Sequence, residues 1–386
     1  MIPYGRQSIS DEDIQAVVDV LKSDYLTQGP CVPAFEEAVA RYCGAAHAVA
    51  VNSATSALHI ACLALGVGSG SRVWTSPITF VASANCALYC GAEVDFVDVD
   101  PRTFNLSPDS LAAKLERAER DGRLPQVVIP VHMAGQSCDM AAIHALGQRY
   151  GFRIVEDASH AVGASYKGAP VGDCRFSDIA VFSYHPVKII TTAEGGIATT
   201  NDAELARLMG LYRTHGVTRD LSTMEEEPHG GWYYEQQALG FNYRMTEMQA
   251  ALGLSQMSRI DEFVGERRRL AARYDARLEG QPLSRPWQHP DTESSWHLYI
   301  VRLDLSRNSV SRRSVFDQLR ERGVGVNLHY MPVYLQPYYR RLGFRPGLCP
   351  EAERYYEEAL SIPLFATLTE EQQDHVVASL TEAVRP

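Results

Sequence analysis

Short apolar runs alternate with stretches of helical periodicity through the first half of the chain. Several of the runs are almost continuous in Val and Ile, which is typical of strands buried on both faces of a sheet. Helical stretches between the runs predict a doubly wound, mostly parallel α/β sheet. The predicted strands lie at 48–53, 72–76, 93–100, 126–132, 153–157, 178–185 and 195–200.

The pattern changes at about Thr246, where long helical stretches replace the alternation. Strand-like runs then follow at 297–304 and 325–330, and the spacing predicts a helix over 313–323 between them. The segment 217–237 has no clear period, and loops of that length are often functional. We therefore expect two structural units, with the change from the first to the second near these long helices.

Near the C-terminus, Thr369 and Gln372 have the spacing of a capping box and predict the start of a last helix. Together with the change of pattern, this predicts a large α/β domain over residues 1–255. A smaller C-terminal α+β domain is expected over residues 256–386. A chain of 386 residues is long for one core and typical of two packed domains.

Composition and charge narrow the class of protein. With 45% hydrophobic and 22% charged residues, the chain has the composition of an ordinary soluble globular protein. The net charge of −11 argues against a nucleic-acid partner, because phosphate backbones require a basic face. No signal segment and no membrane-spanning apolar run is expected. The eight cysteines include no CxxC pair, which predicts free thiols in a reducing cytoplasm and no metal site.

Lysine is rare in this chain, and one lysine stands in an informative place. Of the 36 Lys and Arg residues, only four are lysines, at Lys22, Lys114, Lys167 and Lys188. Lys188 lies between an apolar strand-like run and the glycine pair of "AEGG". Unlike arginine, lysine can lose its proton when desolvated and act as an amine nucleophile. From this stretch alone, a solvated loop lysine is an equally good interpretation.

Polar residues follow several of the predicted strands, and ligands of open α/β sheets bind at such strand ends. Residues 53–56 start a helix whose N-terminus suits a phosphate, although plain N-capping also explains Ser and Thr there. Asp157 is placed to pair with a ring nitrogen, or else to cap or form a salt bridge. Phe80 is placed to stack on a ring, or else to pack in the core. With Ser183 and Lys188, this order of residues meets the requirements of pyridoxal phosphate (PLP).

Several motifs together resemble a known family. They are "NSATSALH", "TFVASAN", "EDASHA.G", "FSYHPVK..TTAEGG", "YRTHG" and "GFNYRMTEMQAALG.SQ". The sequence resembles the DegT-type sugar aminotransferases, which are fold-type I PLP enzymes, over most of the large domain. Within that family, the branch that works in pseudaminic acid biosynthesis is the most similar. That likeness rests on "MIPYGRQSI", "SDYLTQGP", "TTAEGG", "LHYMPVYLQPYY" and "LSIPLF.TLTEEQQ".

The resemblance implies roles for individual residues around the cofactor. Lys188 would carry PLP as a Schiff base and move the proton between substrate and cofactor, and Asp157 would pair with the pyridine nitrogen. Phe80 would stack on the ring. The phosphate would be held by Ala54, Thr55 and Ser183, with Asn242 reaching it from the partner subunit of a homodimer with shared sites. His160 is expected near the cofactor.

The resemblance also implies a binding site for the sugar nucleotide. The residues expected to line it are Tyr4, Asp24, Tyr25, Leu26, Thr27, His185, His329 and Tyr330. Aromatic packing is the alternative explanation for the tyrosines at positions 4 and 330. Arg213 and Arg244 are candidates for binding the anionic donor or the diphosphate. Ala54 and Ala193 stand where many relatives have Gly, which predicts altered loop geometry at these positions.

The implied reaction is transfer of an amino group from L-glutamate to C4 of a UDP-linked 4-keto-6-deoxy-N-acetylhexosamine. Alternatives within the same chemistry are a UDP-bacillosamine-type isomer, a GDP-perosamine-type or dTDP-linked keto sugar, or an inosose. A PLP-dependent sugar dehydratase is disfavoured because family members of that kind have His at the position of Lys188. A non-catalytic binding protein is disfavoured because it would have no need of both Lys188 and Asp157.

Overall fold

A computed structural model describes residues 1–305 and 311–385, and its strands assemble into one large and three small sheets. The strands are β1 (His47–Val51), β2 (Arg72–Thr75), β3 (Glu93–Phe96), β4 (Val127–Ile129), β5 (Arg153–Asp157), β6 (Ser165–Tyr166), β7 (Ala169–Pro170), β8 (Ile179–Ser183), β9 (Gly196–Thr200), β10 (Val217–Thr218), β11 (Glu235–Gln236), β12 (Leu283–Ser284), β13 (Thr292–Glu293), β14 (Tyr299–Leu303) and β15 (Ala359–Ile362).

The helices surround these sheets. They are α1 (Asp11–Leu21), α2 (Cys31–Cys43), α3 (Ala54–Ala64), α4 (Ala82–Tyr89), α5 (Pro108–Arg120), α6 (Met140–Tyr150), α7 (Ala203–Arg213), α8 (Glu247–Met257), α9 (Ile260–Arg277), α10 (Arg312–Glu321), α11 (Pro337–Arg341), α12 (Pro350–Glu358) and α13 (Glu370–Ala383). Two short 3₁₀ segments lie at Met133–Gly135 and Val333–Leu335.

The large sheet has seven strands in the order β1-β9-β8-β5-β4-β2-β3. The four pairs from β8 to β3 are parallel, whereas β9 pairs antiparallel with both β1 and β8. The prediction of a doubly wound, mostly parallel sheet is confirmed, and each predicted strand of the large domain is present, some of them shorter than expected. Because β5 and β8 are parallel and in register at Asp157 and Val181, their carboxyl ends meet at one edge.

Helix α3 connects the sequence pattern to the site. Ser53 is its N-cap, and the Ser53 Oγ accepts a hydrogen bond from the Ser56 backbone N–H at 3.2 Å. Most of the helix is buried, because it packs against β8 and β9 on one side and against α4 and α7 on others. An apolar helix between sheet and neighbouring helices needs no exposed polar face. Its N-terminus is thereby fixed at the carboxyl edge of the sheet.

The smaller unit is a three-stranded antiparallel sheet, β12-β14-β15, covered by α9, α10 and α13. The predicted strand at 297–304 and the predicted helix at 313–323 correspond to β14 and α10. The capping box of Thr369 and Gln372 is present at the start of α13.

The prediction of a strand at 325–330 was wrong. Only one bridge forms there, between Asn327 and Ser361. The place beside β14 is taken by β15 instead, and after Asn327 the chain leaves the sheet toward a cavity.

The division at residue 255 remains a prediction. Residue 255 lies inside α8, which packs on α1 and α2. At the N-terminus, Ile2 pairs with Val324, so the first residues of the chain contact the smaller unit. The predicted loop 217–237 contains the short hairpin β10–β11. Among residues 1–305 and 311–385, no helix is both long and apolar enough to cross a membrane.

Candidate active site

A cavity of about 750 Å³ lies at the carboxyl ends of β5 and β8, between the large and small units. Ligand sites of open α/β sheets occupy this position. Eleven of the residues singled out in the sequence line the cavity: Tyr4, Ala54, Thr55, Phe80, Asp157, His160, Ser183, His185, Lys188, His329 and Tyr330. These residues are spread over the whole length of the chain, and the fold brings them together.

A second cavity of the same volume lies beside the edge strand β3. Three of the four cations that line it are paired within the chain: Lys114 lies 2.6 Å from Asp95, and Arg72 and Arg123 lie 3.2 and 2.9 Å from Glu93. Volume alone therefore does not identify the site. The chemistry of the lining residues distinguishes the two cavities.

Lys188 lies five residues after the end of β8, in a turn where its backbone N–H bonds to the His185 carbonyl at 2.9 Å. Its side chain lines the cavity. Burial lowers the pKa of the Lys188 amine to about 8, although the Asp157 carboxylate opposes this shift. At pH 7 roughly a tenth of the amine is then neutral, several hundred times more than for an exposed lysine. A useful fraction of the Lys188 side chain is therefore the neutral amine, the nucleophilic form that the sequence suggested.

Asp157 ends β5 and is almost fully buried, at 5% exposure. Its Oδ2 accepts a hydrogen bond from the Ser83 hydroxyl at 2.5 Å, and its Oδ1 accepts one from the Ser159 backbone N–H at 3.1 Å. The Ser83 hydroxyl also lies 2.7 Å from the Thr79 hydroxyl. These contacts fix the orientation of the carboxylate. Its position fits a partner for a protonated ring nitrogen.

The start of α3 forms a cradle for an anion. Ser53 serves as the cap, so N-capping explains this serine. The hydroxyls of Thr55 and Ser183 line the cavity and have no hydrogen-bond partner within the described part of the chain. A Cβ added to Gly196 would lie 2.4 Å from the Ala54 backbone nitrogen, so only glycine lets β9 pass this close to the helix start. A free hydroxyl at the N-terminus of α3 and a second one at the end of β8 fit a phosphate.

Phe80 does not pack in the core, because 60% of its surface is exposed. Its ring centroid lies 6.5 Å from that of Tyr330 across the cavity, at an angle of 56°. The free face of the ring is available to stack on a planar group. Together with the amine, the carboxylate and the cradle, it completes a set of residues that fits PLP.

Three buried histidines form one wall of the cavity: His160, His297 and His329. Burial and the nearby Lys188 lower the pKa of all three, to about 3 for His329. The Ala134 backbone N–H donates to Nδ1 of His160 at 3.3 Å, which leaves the proton of the neutral ring on Nε2, 3.2 Å from the Tyr330 hydroxyl. This wall is therefore polar but uncharged.

His329 is held by two neighbours and contacts a third ring. Its Nδ1 lies 2.8 Å from the Ser361 hydroxyl, and its Nε2 lies 3.3 Å from the Asn327 amide nitrogen. The ring centroid of Tyr4 lies 5.2 Å away. The N-terminal segment of the chain thus forms part of the same wall as the loop that follows Asn327.

Several predicted residues lie outside the cavity. Asn242 is exposed, and so is the turn 24–27 between α1 and α2. Arg213 is bonded through its NH1 to the Glu36 carboxylate at 2.5 Å and to the Ala50 carbonyl at 2.8 Å. Its charge is therefore already paired within the fold. The predicted contacts of Arg213 and Arg244 with the substrate stay predictions. The roles of Asn242 and of 24–27 remain predictions.

Sequence reasoning missed several residues of the cavity or its support, among them Ser83, His297, Asn327 and Glu194. Ser83, which bonds Asp157, lies inside the quoted motif "TFVASAN", so its place one helical turn after Phe80 was a usable signal. Glu194 also lines the cavity and lies inside the quoted motif "TTAEGG", whereas the sequence context of His297 and Asn327, which line it too, gave no sign of it. Ala193 adopts φ +65°, the left-handed region in which glycine costs least.

Comparison with known proteins agrees with this geometry. The model of the DegT/DnrJ/EryC1/StrS aminotransferase family matches residues 7–381. The spore coat polysaccharide biosynthesis protein SpsC of Bacillus subtilis is 37% identical over 387 residues, covering 100% of this chain and 97% of that protein.

Two solved structures are also similar. PseC of Helicobacter pylori, an aminotransferase involved in the biosynthesis of pseudoaminic acid, superposes with a TM-score of 0.90 at 31% identity, covering 99% of both chains. Spr1654 of Streptococcus pneumoniae, solved in a PMP form, superposes with a TM-score of 0.89 at 29% identity, covering 100% of this chain and 99% of that one. The chain belongs to the DegT/DnrJ/EryC1/StrS family and is a PLP-dependent sugar aminotransferase.

Proposed function

We propose that this member of the family transfers an amino group from L-glutamate to C4 of a UDP-linked 4-keto-6-deoxy-N-acetylhexosamine. The product would be UDP-4-amino-4,6-dideoxy-N-acetyl-β-L-altrosamine, an intermediate of pseudaminic acid biosynthesis. The observation that carries aminotransfer is the partly deprotonated Lys188 amine facing the same cavity as the buried Asp157. Support for the sugar comes from the terminal motifs and from the likeness to PseC over nearly the whole chain.

When bound, PLP carries the amino group between the two substrates and withdraws electrons from the reacting carbon. Asp157 would bind the ring nitrogen, because Ser83 and Ser159 orient its carboxylate toward the cavity. Thr55 and Ser183 would bind the phosphate with the backbone N–H groups at the start of α3. Phe80 would cover one face of the ring and exclude water from it.

Lys188 is the proton carrier in both half reactions. Its neutral amine removes the proton from the α-carbon of the donor, and its ammonium later returns a proton to C4 of the sugar. A pKa of about 8 suits both tasks, because the two protonation states are both populated near neutral pH. The neutral histidine wall does not compete for this proton, since burial keeps the pKa of those rings low.

We further propose that two copies of the chain share their sites in a homodimer in the cytoplasm. In this arrangement Asn242 reaches the phosphate of the partner subunit, and the turn 24–27 contributes to the sugar site. Support comes from the exposure of Asn242 and of the apolar side chains of Tyr25, Leu26 and Trp232, which are 55%, 49% and 76% exposed. Large exposed aromatic and aliphatic groups of this kind are typical of interfaces. Eight free cysteines agree with a reducing compartment.

A single-turnover experiment tests the substrate. The protein is loaded with pyridoxamine phosphate and mixed with the UDP-4-keto sugar of L-arabino configuration, while the absorbance of the aldehyde form is followed. The D-xylo isomer runs in parallel, and Lys188→Ala is the control. Rapid conversion of the L-arabino sugar alone supports the proposal. Conversion of the D-xylo isomer alone contradicts the pathway but not aminotransfer, and conversion of neither directs the search to GDP- or dTDP-linked keto sugars and inososes.

A further inference from the structure

The hydroxyl of Tyr330 is held by one buried histidine of the cavity wall. It lies 3.2 Å from Nε2 of His160, and the two rings are inclined by 23° with their centroids 6.1 Å apart. His160 is 6% exposed, and its ring packs against that of His297 at 4.4 Å between centroids. The Ser295 hydroxyl donates to the His160 carbonyl at 3.0 Å. Both the backbone and the ring of His160 are therefore held in place.

The backbone at Ala134 sets the direction of the bond between His160 and Tyr330. Ala134 has φ +59°, in the left-handed region that is costly for a residue other than glycine, and its N–H donates to Nδ1 of His160 at 3.3 Å. A ring nitrogen that accepts a hydrogen bond carries no proton, and burial keeps this ring neutral by lowering its pKa. The ring proton is therefore on Nε2, and His160 donates to the Tyr330 oxygen.

This leaves the proton of the Tyr330 hydroxyl without an acceptor. A tyrosine hydroxyl has one proton to donate, and its oxygen already accepts from His160. No other group in the described part of the chain is hydrogen-bonded to this hydroxyl. Tyr330 lines the cavity together with Lys188. The wall therefore offers a hydrogen-bond donor at this point, and a bound ligand must supply the acceptor.

We propose that the Tyr330 hydroxyl donates a hydrogen bond to the keto oxygen of the sugar, and that His160 is the positioning residue that makes it a donor. The proposal rests on the proposed transfer to a keto sugar but not on its nucleotide or configuration, since every candidate sugar carries this oxygen. The keto carbon must lie beside the Lys188 amine, which carries its proton. That amine is close enough to His160 for its charge to lower the pKa of the ring.

A donor at this position distinguishes the substrate from the product. The keto oxygen only accepts hydrogen bonds, whereas the amine that replaces it is an ammonium group near neutral pH and only donates them. The Tyr330 hydroxyl can therefore bind the ketone and has no bond to offer to the ammonium group. It strengthens the binding of the substrate alone, which favours release of the sugar once the amino group has been transferred.

Tyr330→Phe removes the donor and keeps the ring. The half reaction with the sugar is followed by cofactor absorbance in both directions, with the keto sugar that the unsubstituted protein converts and the amino sugar that it forms. We expect the half-saturating concentration of the keto sugar to rise roughly tenfold, with the limiting rate within about threefold. If the L-arabino sugar is not converted, the proposed function fails, and the same test runs with the keto sugar that is.

The reverse direction makes the test specific. The variant does not change the equilibrium between ketone and amine, so the reverse reaction must lose the same factor in kcat/KM. In that direction the loss should appear in the limiting rate, while the half-saturating concentration of the amino sugar stays the same. An equal loss of affinity for both sugars would overturn the proposal. A changed absorbance spectrum of the bound cofactor without sugar would also overturn it, because Tyr330 would then act on the cofactor.

A second tyrosine provides the matched control. The buried hydroxyl of Tyr339 donates to Oδ1 of Asn85 at 2.6 Å, and neither residue lines the cavity. Tyr339→Phe therefore removes a tyrosine hydroxyl and its hydrogen bond elsewhere in the fold. It should leave the half-saturating concentrations of both sugars within about twofold. A loss like that of Tyr330→Phe would mean that a general loosening explains the result, and would overturn the proposal.

Two substitutions of His160 test the direction of the bond. In His160→Gln the amide oxygen can accept from Ala134 and the amide N–H can donate to Tyr330, so binding of the keto sugar should stay within about threefold. In His160→Glu the carboxylate only accepts, so the Tyr330 proton turns toward it and the affinity for the keto sugar should fall roughly tenfold. In that background, Tyr330→Phe should have no further effect. Equal losses in the Gln and Glu variants would overturn the positioning role.

The direction also has a readout that needs no sugar. In the cofactor-loaded protein with ¹⁵N-labelled histidine, nuclear magnetic resonance distinguishes the two neutral forms of each ring. The signals that disappear in His160→Gln belong to His160, and they should be those of a ring with its proton on Nε2. A proton on Nδ1 would overturn the proposal, whichever sugar the protein uses.

Discussion

Removal of the Ser83 hydroxyl tests whether the orientation of Asp157 controls catalysis. Ser83→Ala deletes a hydrogen bond of 2.5 Å to the Asp157 Oδ2 and leaves the bond from the Ser159 backbone intact. A hydrogen bond to a charged group contributes about 1.5–3 kcal/mol. If this bond acts in the transition state, the single-turnover rate falls by roughly tenfold to a hundredfold. The cofactor should still attach, because Lys188 and the phosphate cradle are unchanged.

A matched control is the removal of the hydrogen bond to Glu156, the residue before Asp157 in the same strand. Ser177 donates a hydrogen bond to Glu156, which precedes Asp157 in β5 and points to the opposite face of the sheet. Ser177→Ala therefore removes a partly buried hydrogen bond to a buried carboxylate, away from the cavity. It should lower the free energy of unfolding, measured with urea, and leave the single-turnover rate within about twofold.

The two variants together decide the question. If Ser83→Ala keeps the rate of the unsubstituted protein, the reasoning on Asp157 fails. It also fails if both variants lose rate in proportion to their loss of stability, because a general loosening of β5 would then explain the result. The rate should be measured over a range of pH, since a misplaced ring partner changes the profile and a structural defect does not.

Three further predictions concern the lysine and the cradle. In the protein without cofactor, the rate at which Lys188 captures PLP should rise with pH and level off above about pH 8. A lysine with the ordinary pKa of 10.5 would show no plateau below pH 10. Stopped-flow absorbance, measured as a function of pH, distinguishes these two profiles. Gly196→Ala should weaken PLP binding at least tenfold, because the added Cβ would lie 2.4 Å from the Ala54 backbone nitrogen. Fluorescence titration measures this affinity, and an unchanged affinity would refute the assignment of the phosphate to the start of α3. Lys188→Arg should fold normally, as judged by circular dichroism, and show no transamination. The control Lys114→Arg should retain transamination, because Lys114 forms an ion pair with Asp95 at 2.6 Å.

The sequence predicted the large sheet well because its signals are local. Runs of Val and Ile mark buried strands whatever their neighbours are, and β5 was located to the residue. In the small unit, β15 lies directly after the helical run of α12, and only the pairing with β14 makes Ala359–Ile362 a strand. That pairing is a tertiary contact, which cannot be predicted from the hydrophobic periodicity of the segment itself. The wrong strand at 325–330 and the missed β15 share this cause.

The site was predictable where a residue acts through its own chemistry. Asp157 and Lys188 carry the groups that the cofactor needs, so their types and positions were informative. Arg213 is equally charged, but its charge is used by Glu36, which precedes it by 177 residues in the chain. His297 likewise lines the cavity only because β14 places it beside His160, at 4.4 Å between ring centroids. Roles that depend on a distant partner are not visible in one sequence.

The choice of lysine at position 188 has a physical reason in a chain that otherwise favours arginine. Lys114 and Lys167 are paired with Asp95 and Asp291, at 2.6 and 3.7 Å, and a permanent charge suits such pairs. Lys188 is needed as a base, so it must be able to exist as a neutral amine. An arginine at position 188 would keep its proton near neutral pH, because even the fully buried Arg267, elsewhere in the chain, has a pKa lowered only to about 10. Burial therefore converts lysine, and not arginine, into the reacting group.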